Sequence, residues 1–393
     1  MGSRGIPLPG FDSNRSHLFA LGRNAMYAAC EAVGLKAGDE VVTPAFDCDG
    51  SLQPFTAKGC TLRFYRSDPA SLTADLNDLR RCISSRTRLI HIVQHFGLPQ
   101  PWNELGELRR ESGIPILEDN AYSLFSSYQG RPFGSFGDLA VFSLRKELPL
   151  TDGGWLRINN PEYSYSRDTS INSAPWFYRS ELESTLYLLQ GIVRRKFRVP
   201  LPLVRIARVL KFLSPNVDGT YLPPLYSDPL EDIPNVPYRD VAGSEFVNNL
   251  QRPMSRLARL QLSRYGMVDF CSIREQRRSS YATLVNSIQD IPGKVILYPE
   301  LPEGAVPFCL NIRIENCRDE ILGELARNYS VMAWPTLPGL VLSQLDKFPD
   351  VQILGRELMQ FSFPKGHQWP QDYPNHLKQF ANDFRQVMKR FNS

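Results

Sequence analysis

The chain has 393 residues, of which 42% are hydrophobic, 11% aromatic and 22% charged. That mixture is too apolar and too even for a disordered chain, and the length suits two domains or one large α/β unit. Forty-five Lys and Arg against 41 Asp and Glu leave a formal charge of +4, too weak to argue for nucleic acid, and the seven cysteines and five histidines show neither a C-x-x-C pair nor zinc-like spacing, which points to reduced core thiols and no metal ligands.

At the start of the chain Pro7, Pro9 and Gly10 interrupt any leader-like apolar run. No stretch elsewhere approaches the roughly 18 apolar residues of a membrane span, so a soluble, cytoplasmic protein is expected. Leu21-Gly22-Arg23-Asn24 then precedes an alanine-rich helix ending near Gly34. From residue 40 to 159, β-rich runs at 40–46, 61–66, 89–93, 115–119, 139–144 and 155–158 alternate with amphipathic stretches. Helices are expected at 74–83 and 103–112, the latter stopped by Gly113, and the alternation predicts an α/β fold with a mainly parallel sheet.

Residues 161–244 are rich in proline and read as an insert within a large domain spanning 1–245. Inside it, residues 191–213 carry seven cations and no acid, interleaved with Leu, Val and Ile. Such a pattern suits an anionic membrane surface, a nucleotide diphosphate, or simply a packed insert with a solvated basic face, the last being commonest. A smaller α/β domain, 246–393, is expected to hold a long arginine-rich helix over 254–288, strands at 295–298, 306–314 and 361–364, and helices at 318–326 and 373–391.

Three stretches carry chemistry. A glycine turn feeding a helix at Gly22 presents free N–H groups suited to a phosphate, although an ordinary helix start with a solvated Arg23 looks the same. Asp119, ending an apolar strand, is placed to hold a protonated heteroaromatic nitrogen or to cap the next turn. Lys146 follows a strand and precedes Gly153-Gly154; an apolar setting there would lower its pKa as a Schiff-base amine requires, whereas lone lysines are usually solvated. His95, on a strand-end turn, lines the same crevice or packs as a core histidine.

In their order, and in the runs Gly22-Arg23-Asn24-Ala25, Gly38-Asp39-Glu40-Val41-Val42-Thr43-Pro44, His95-Phe96-Gly97-Leu98-Pro99, Leu117-Glu118-Asp119, Gly134-Ser135-Phe136-Gly137-Asp138 and Arg145-Lys146-Glu147, these parts resemble the DegT-type (DegT/DnrJ/StrS) sugar aminotransferases. The resemblance is good over about 18–158. It is thinner from about 252, through Arg252-Pro253-Met254-Ser255, the Arg274, Arg277 and Arg278 helix and Pro364-Lys365-Gly366-His367-Gln368.

It implies a fold-type I pyridoxal-phosphate (PLP) enzyme, with a mainly parallel sheet of the seven-stranded type in the large domain. By the same implication Lys146 carries the cofactor and shuttles the proton, Asp119 holds the pyridine nitrogen, and Gly22, Arg23, Asn24 and Ser143 bind the phosphate. Tyr122 stands where the family has Gln or His, Cys48 near the position that packs on the cofactor's face, with Phe46 beside it, and Leu21 where a serine often precedes the Gly-Arg pair.

The resemblance implies transfer of an amino group from glutamate or glutamine to a keto sugar, expected to be nucleotide-linked, in polysaccharide or secondary-metabolite biosynthesis. The implied assembly is a homodimer with shared sites. His95, Asn248, Asn249 and Arg252 are the candidate substrate contacts, the last three on a partner-facing loop. Two other readings stay open: a sugar dehydratase, whose relatives replace the lysine with histidine, and a sensor that keeps the fold without turnover.

Overall fold

The computed structural model describes residues 8–167, 251–334 and 337–391. The first part runs β1 (Ser16–Phe19), α1 (Gly22–Val33), β2 (Glu40–Pro44), α2 (Asp49–Ala57), β3 (Thr61–Tyr65), α3 (Leu76–Cys82), β4 (Thr87–Val93), α4 (Trp102–Ser112) and β5 (Ile116–Asn120). A short ribbon, β6 (Ser127–Tyr128) and β7 (Arg131–Pro132), leads to β8 (Leu139–Phe142), α5 (Leu144–Glu147) and β9 (Gly154–Ile158). The second part runs α6 (Arg256–Leu262), α7 (Met267–Ile288), β10 (Lys294–Ile296), β11 (Cys309–Ile314), α8 (Arg318–Leu325), β12 (Val331–Met332), α9 (Gly339–Leu342), α10 (Pro349–Glu357), β13 (Leu358–Ser362) and α11 (Tyr373–Phe391).

Seven strands form one sheet in the order β1-β9-β8-β5-β4-β2-β3. The pairs β3/β2, β2/β4, β4/β5 and β5/β8 are parallel, and β9 is antiparallel to both β8 and β1. Every residue of β2, β5 and β8 is buried, as expected of parallel strands covered on both faces. Alanines 25, 28 and 29 let α1 lie close against the sheet. In α4 the buried Trp102, Leu105 and Leu108 recur every third residue, and Gly113, at φ 69°, ends the helix.

The four-stranded antiparallel sheet β10-β11-β13-β12 packs on α7, α8 and α11. In α11 the buried Tyr373, Leu377, Phe380, Phe384 and Met388 form the apolar stripe that seals this core. The expected helix over 254–288 is two helices: Gly266 is extended at the N-cap of α7, and its N–H is taken by Asp269. The strands expected at 306–314 and 361–364 run instead over Cys309–Ile314 and Leu358–Ser362.

The two sheets meet closely. Phe46, Leu72 and Phe96 share a core with Leu297, Phe308 and Val351, Phe308 N–H donates to Phe96 O at 2.8 Å, and Ser67 N–H donates to Asp350 at 2.8 Å. Among the described residues no helix is long and apolar enough to cross a membrane. All seven cysteines are free, but only Cys30 and Cys309 are buried and Cys271 and Cys317 are exposed, so the expectation of core thiols holds for two of them. The insert at 161–244 beyond residue 167, the basic stretch 191–213 and the domain division at 245/246 lie outside the described residues.

Candidate active site

The parallel strands β2, β4, β5 and β8 end on one edge of the sheet, where open α/β sheets place their ligand crevice. Their loops deliver Asp47 and Cys48, Gln94 and His95, Asp119 to Tyr122, and Ser143 to Lys146.

On β5 the two adjacent carboxylates part ways because successive strand residues face opposite sides. Glu118 is fully buried and accepts N–H groups of Gly134, Phe136 and Gly137 at 2.6, 3.0 and 3.2 Å. It ties down the glycine turn before β8, and burial pushes its carboxyl up. Asp119 faces the other way. Its Oδ1 accepts Ala121 N–H at 2.8 Å and its Oδ2 lies 3.5 Å from His91 Nε2. One oxygen of Asp119 thus caps the turn, as one of the two sequence readings has it, and the residue stands at the strand end beside the crevice.

Gly22 opens α1 beside Ser143. A β-carbon on Gly22 would lie 3.1 Å from Ser143 Cβ, so glycine leaves a cradle between the helix start and the β8 end. Gly154 supports this turn from below: a β-carbon there would fall 2.1 Å from Leu21 O and 2.9 Å from Gly22 N. Asn24 is buried and its Oδ1 accepts Leu21 N–H at 2.9 Å, while Arg23 Nη1 donates to Gln53 at 3.0 Å. Asn24 thus shapes the turn, and Arg23 leans on α2.

Lys146 lies in α5, one short turn after β8, with Nζ 3.7 Å from the centre of the Tyr122 ring. Burial works against its charge, but Tyr122, Cys48 and Asp119 more than offset this, so its pKa is raised. The lowered pKa expected from an apolar setting is corrected: the Tyr122 hydroxyl, the Cys48 thiol and the Asp119 carboxyl face the amine. Burial, helped by Asp47, pushes the Cys48 thiol up to about 11, which leaves it neutral.

An aromatic wall closes the crevice. Trp334, from the connection after β12, is edge-on to Phe96 at 4.9 Å, Phe46 at 5.7 Å and Tyr122 at 5.9 Å. His95 packs in the same wall, 5.9 Å from Phe46 and 6.0 Å from Trp334. It is buried with no hydrogen bond at Nδ1, and burial pushes its pKa down to about 3, so the ring is neutral.

Of the remaining candidates, Arg252 is anchored by its carbonyl, which accepts Ala20 N–H at 2.9 Å. Asn248 and Asn249 lie outside the described residues. Sequence reasoning missed Asp47, His91, Trp334 and the buried Glu147–Arg277 pair. His91 did leave a signal, a polar residue inside the apolar run Leu89 to Val93. Trp334 left none, since only the tertiary fold brings it to the crevice.

Residues 19–168 match the model of the DegT/DnrJ/EryC1/StrS aminotransferase family. A dTDP-4-dehydro-2,3,6-trideoxy-D-glucose 4-aminotransferase from Saccharopolyspora spinosa is 28% identical over 158 residues, 40% of this chain and 41% of that protein. The chain thus matches about two-fifths of the length of this curated relative. Among solved structures, the aminotransferase TlmJ from Streptoalloteichus hindustanus superposes with a TM-score of 0.66 at 18% identity, covering 98% of this chain and 88% of that one. A Streptococcus pneumoniae protein solved in PLP and PMP forms gives TM-scores of 0.60 and 0.64 at 14% identity, covering 95% of this chain and 87% of that one.

Proposed function

We propose that this chain is a PLP-dependent aminotransferase that moves an amino group from glutamate or glutamine to the keto group of a nucleotide-linked sugar. The observation that carries the reading is the convergence of Lys146, Asp119 and the Gly22–Ser143 cradle on one sheet edge. These residues fit the cofactor: the cradle is a space that a β-carbon at Gly22 would fill, and a buried carboxylate lies within electrostatic reach of the lysine.

When bound, the cofactor supplies a protonated pyridine ring that accepts electrons from the amino donor's Cα. Asp119 would hold the ring nitrogen, and Gly22, Ser143 and the N-terminus of α1, with Arg23 and Asn24 shaping the turn, would hold the phosphate. Lys146 Nζ would take and return the proton that moves during transfer. Tyr122, packed edge-on against Trp334, orients that amine. The neutral His95 ring and the aromatic wall exclude water, and Cys48 leaves room where the family carries a larger ring.

The test is to add glutamate to the purified, cofactor-loaded chain and follow the bound cofactor's absorbance. Conversion to the amine form supports amino transfer; an unchanged spectrum supports a binding-only relative. Borohydride reduction followed by peptide mapping should label Lys146, and a label on another lysine rejects the assignment. We further propose a cytoplasmic homodimer in which Asn248, Asn249 and Arg252 reach the partner's crevice. An inactive Lys146→Ala chain mixed with an inactive Arg252→Ala chain should then regain partial activity.

A further inference from the structure

Behind Asp119 lies a buried polar layer that the reaction outlined above does not use. His91, on β4, is 0% exposed. Its Nδ1 is 2.9 Å from Thr43 Oγ1 on β2, its Nε2 is 3.5 Å from Asp119 Oδ2 on β5, and Phe55 packs edge-on at 5.2 Å. At that spacing Nε2 is a buried nitrogen without a hydrogen bond, and its nearest acidic oxygen is Asp119's. A bare lone pair on Nε2 would face the lone pairs of Asp119 Oδ2, so the proton belongs on Nε2, and Nδ1 accepts the Thr43 hydroxyl.

A second carboxylate, Asp47, is 2% exposed in the loop after β2. It accepts Cys48 N–H at 2.7 Å and the Ser51 hydroxyl. The other groups that face it electrostatically are His91, Asp119, the Cys48 thiol and the Tyr65 phenol, whose hydroxyl donates to His91 O at 3.1 Å.

We propose that His91 and Asp47 are positioning residues that fix the orientation and charge of Asp119, and through it the protonation of a ring nitrogen held there. The inference rests on the reading of Asp119 given under Proposed function. Burial pushes the Asp47 carboxyl up to about 6, with His91 pulling it down and Asp119 pushing it up. Above that pH Asp47 adds a second negative charge to the layer that holds Asp119, and below it that charge is gone.

The test begins on the cofactor-free full chain with ring-¹⁵N histidine, His91 being assigned by its loss in His91→Gln. Nε2–H at neutral pH is expected, with the preference lost in Asp119→Asn. The opposite tautomer, or a spectrum indifferent to Asp119→Asn, overturns the proposal. Because this arm needs no cofactor, it stands apart from failure of the aminotransferase reading. In the second arm cofactor release is timed against pH. Asp47→Asn should speed release roughly three- to tenfold at pH 8, the scale of about half to one pKa unit, and converge with the parent chain at pH 5. Equal release at both pH values overturns the role of Asp47. Thr43→Val, which keeps the shape but removes the hydroxyl, should weaken the Nε2–H preference and provides a second folded variant; an unaltered tautomer there counts against the chain of contacts.

Discussion

The carboxyl edge of the seven-stranded sheet and the interior of the four-stranded sheet distribute buried polarity differently. In the latter, Asn311 and Gln360 on adjacent strands bind each other at 2.7 Å and Arg318 gives two N–H groups to the carbonyls of Leu358 and Gly355, although Ser362 Oγ and the Tyr373 hydroxyl stay unpaired. Around them lie apolar side chains such as Ile312, Phe361, Phe380 and Phe384. At the sheet edge, by contrast, His91 Nε2, His95 Nδ1 and Gln94 Oε1 are buried without hydrogen bonds. Unpaired buried groups cost stability, and at the edge three of them gather on neighbouring residues of one strand end and its loop. A region that keeps such groups is organised for a ligand rather than for packing.

The largest effect that would sharpen this contrast is chemical. Lys146→Ala should reduce amino transfer by roughly 10⁴-fold or more, while the thermal midpoint stays near that of the parent chain. A large loss of stability would show that the lysine belongs to the core after all. The reverse behaviour is expected of Phe380→Ala. Phe380 is fully buried, with ring centres 4.4 Å from Phe361 and 5.0 Å from Tyr329, so denaturant titration should show a loss of about 3–5 kcal/mol. Transfer per folded molecule should be unchanged.

The smallest effect concerns a paired carboxylate outside the edge. Asp138 accepts Arg109 Nε and Nη2 at 2.8 and 3.0 Å, Ile116 N–H at 2.9 Å and Asn160 Nδ2 at 2.9 Å. Burial raises its pKa, but these donors outweigh it and the net direction is down. A carboxyl lowered on folding stabilises fully above its unfolded value of about 4, and that contribution fades as pH falls through the folded value. Asp138→Asn should therefore cost about 1–2 kcal/mol at pH 7, and the gap to the parent should narrow below about pH 4. A gap independent of pH would assign the loss to shape rather than charge.

Much of this was legible in the chain. Continuous apolar runs marked the parallel strands, and Gly113 marked the end of α4, because those signals are local. The cradle, Asp119 and Lys146 also read out, since strand ends and glycine turns are visible in sequence. The α2 helix did not, for Gly50 and Pro54 argue against a helix that the sheet nevertheless supports. Nor did β1, which is specified by its antiparallel partner β9 some 140 residues on. The lysine's raised pKa depends on Tyr122, Cys48 and Asp119, brought together from three loops, and no single window of sequence contains all of them.

Gly154 carries a consequence for how this sequence can vary. The atoms a β-carbon would strike there, Leu21 C and O and Gly22 N, are all backbone, so no rotamer change relieves the clash. In a saturation library position 154 should retain glycine alone. Gly106 on α4, where the nearest atom is the tip of Arg110 at 3.9 Å, should accept alanine freely and gain helix propensity. A lineage that lost Gly154 would have to rebuild the turn at Gly22 in the same step, which ties the drift of two positions 132 residues apart.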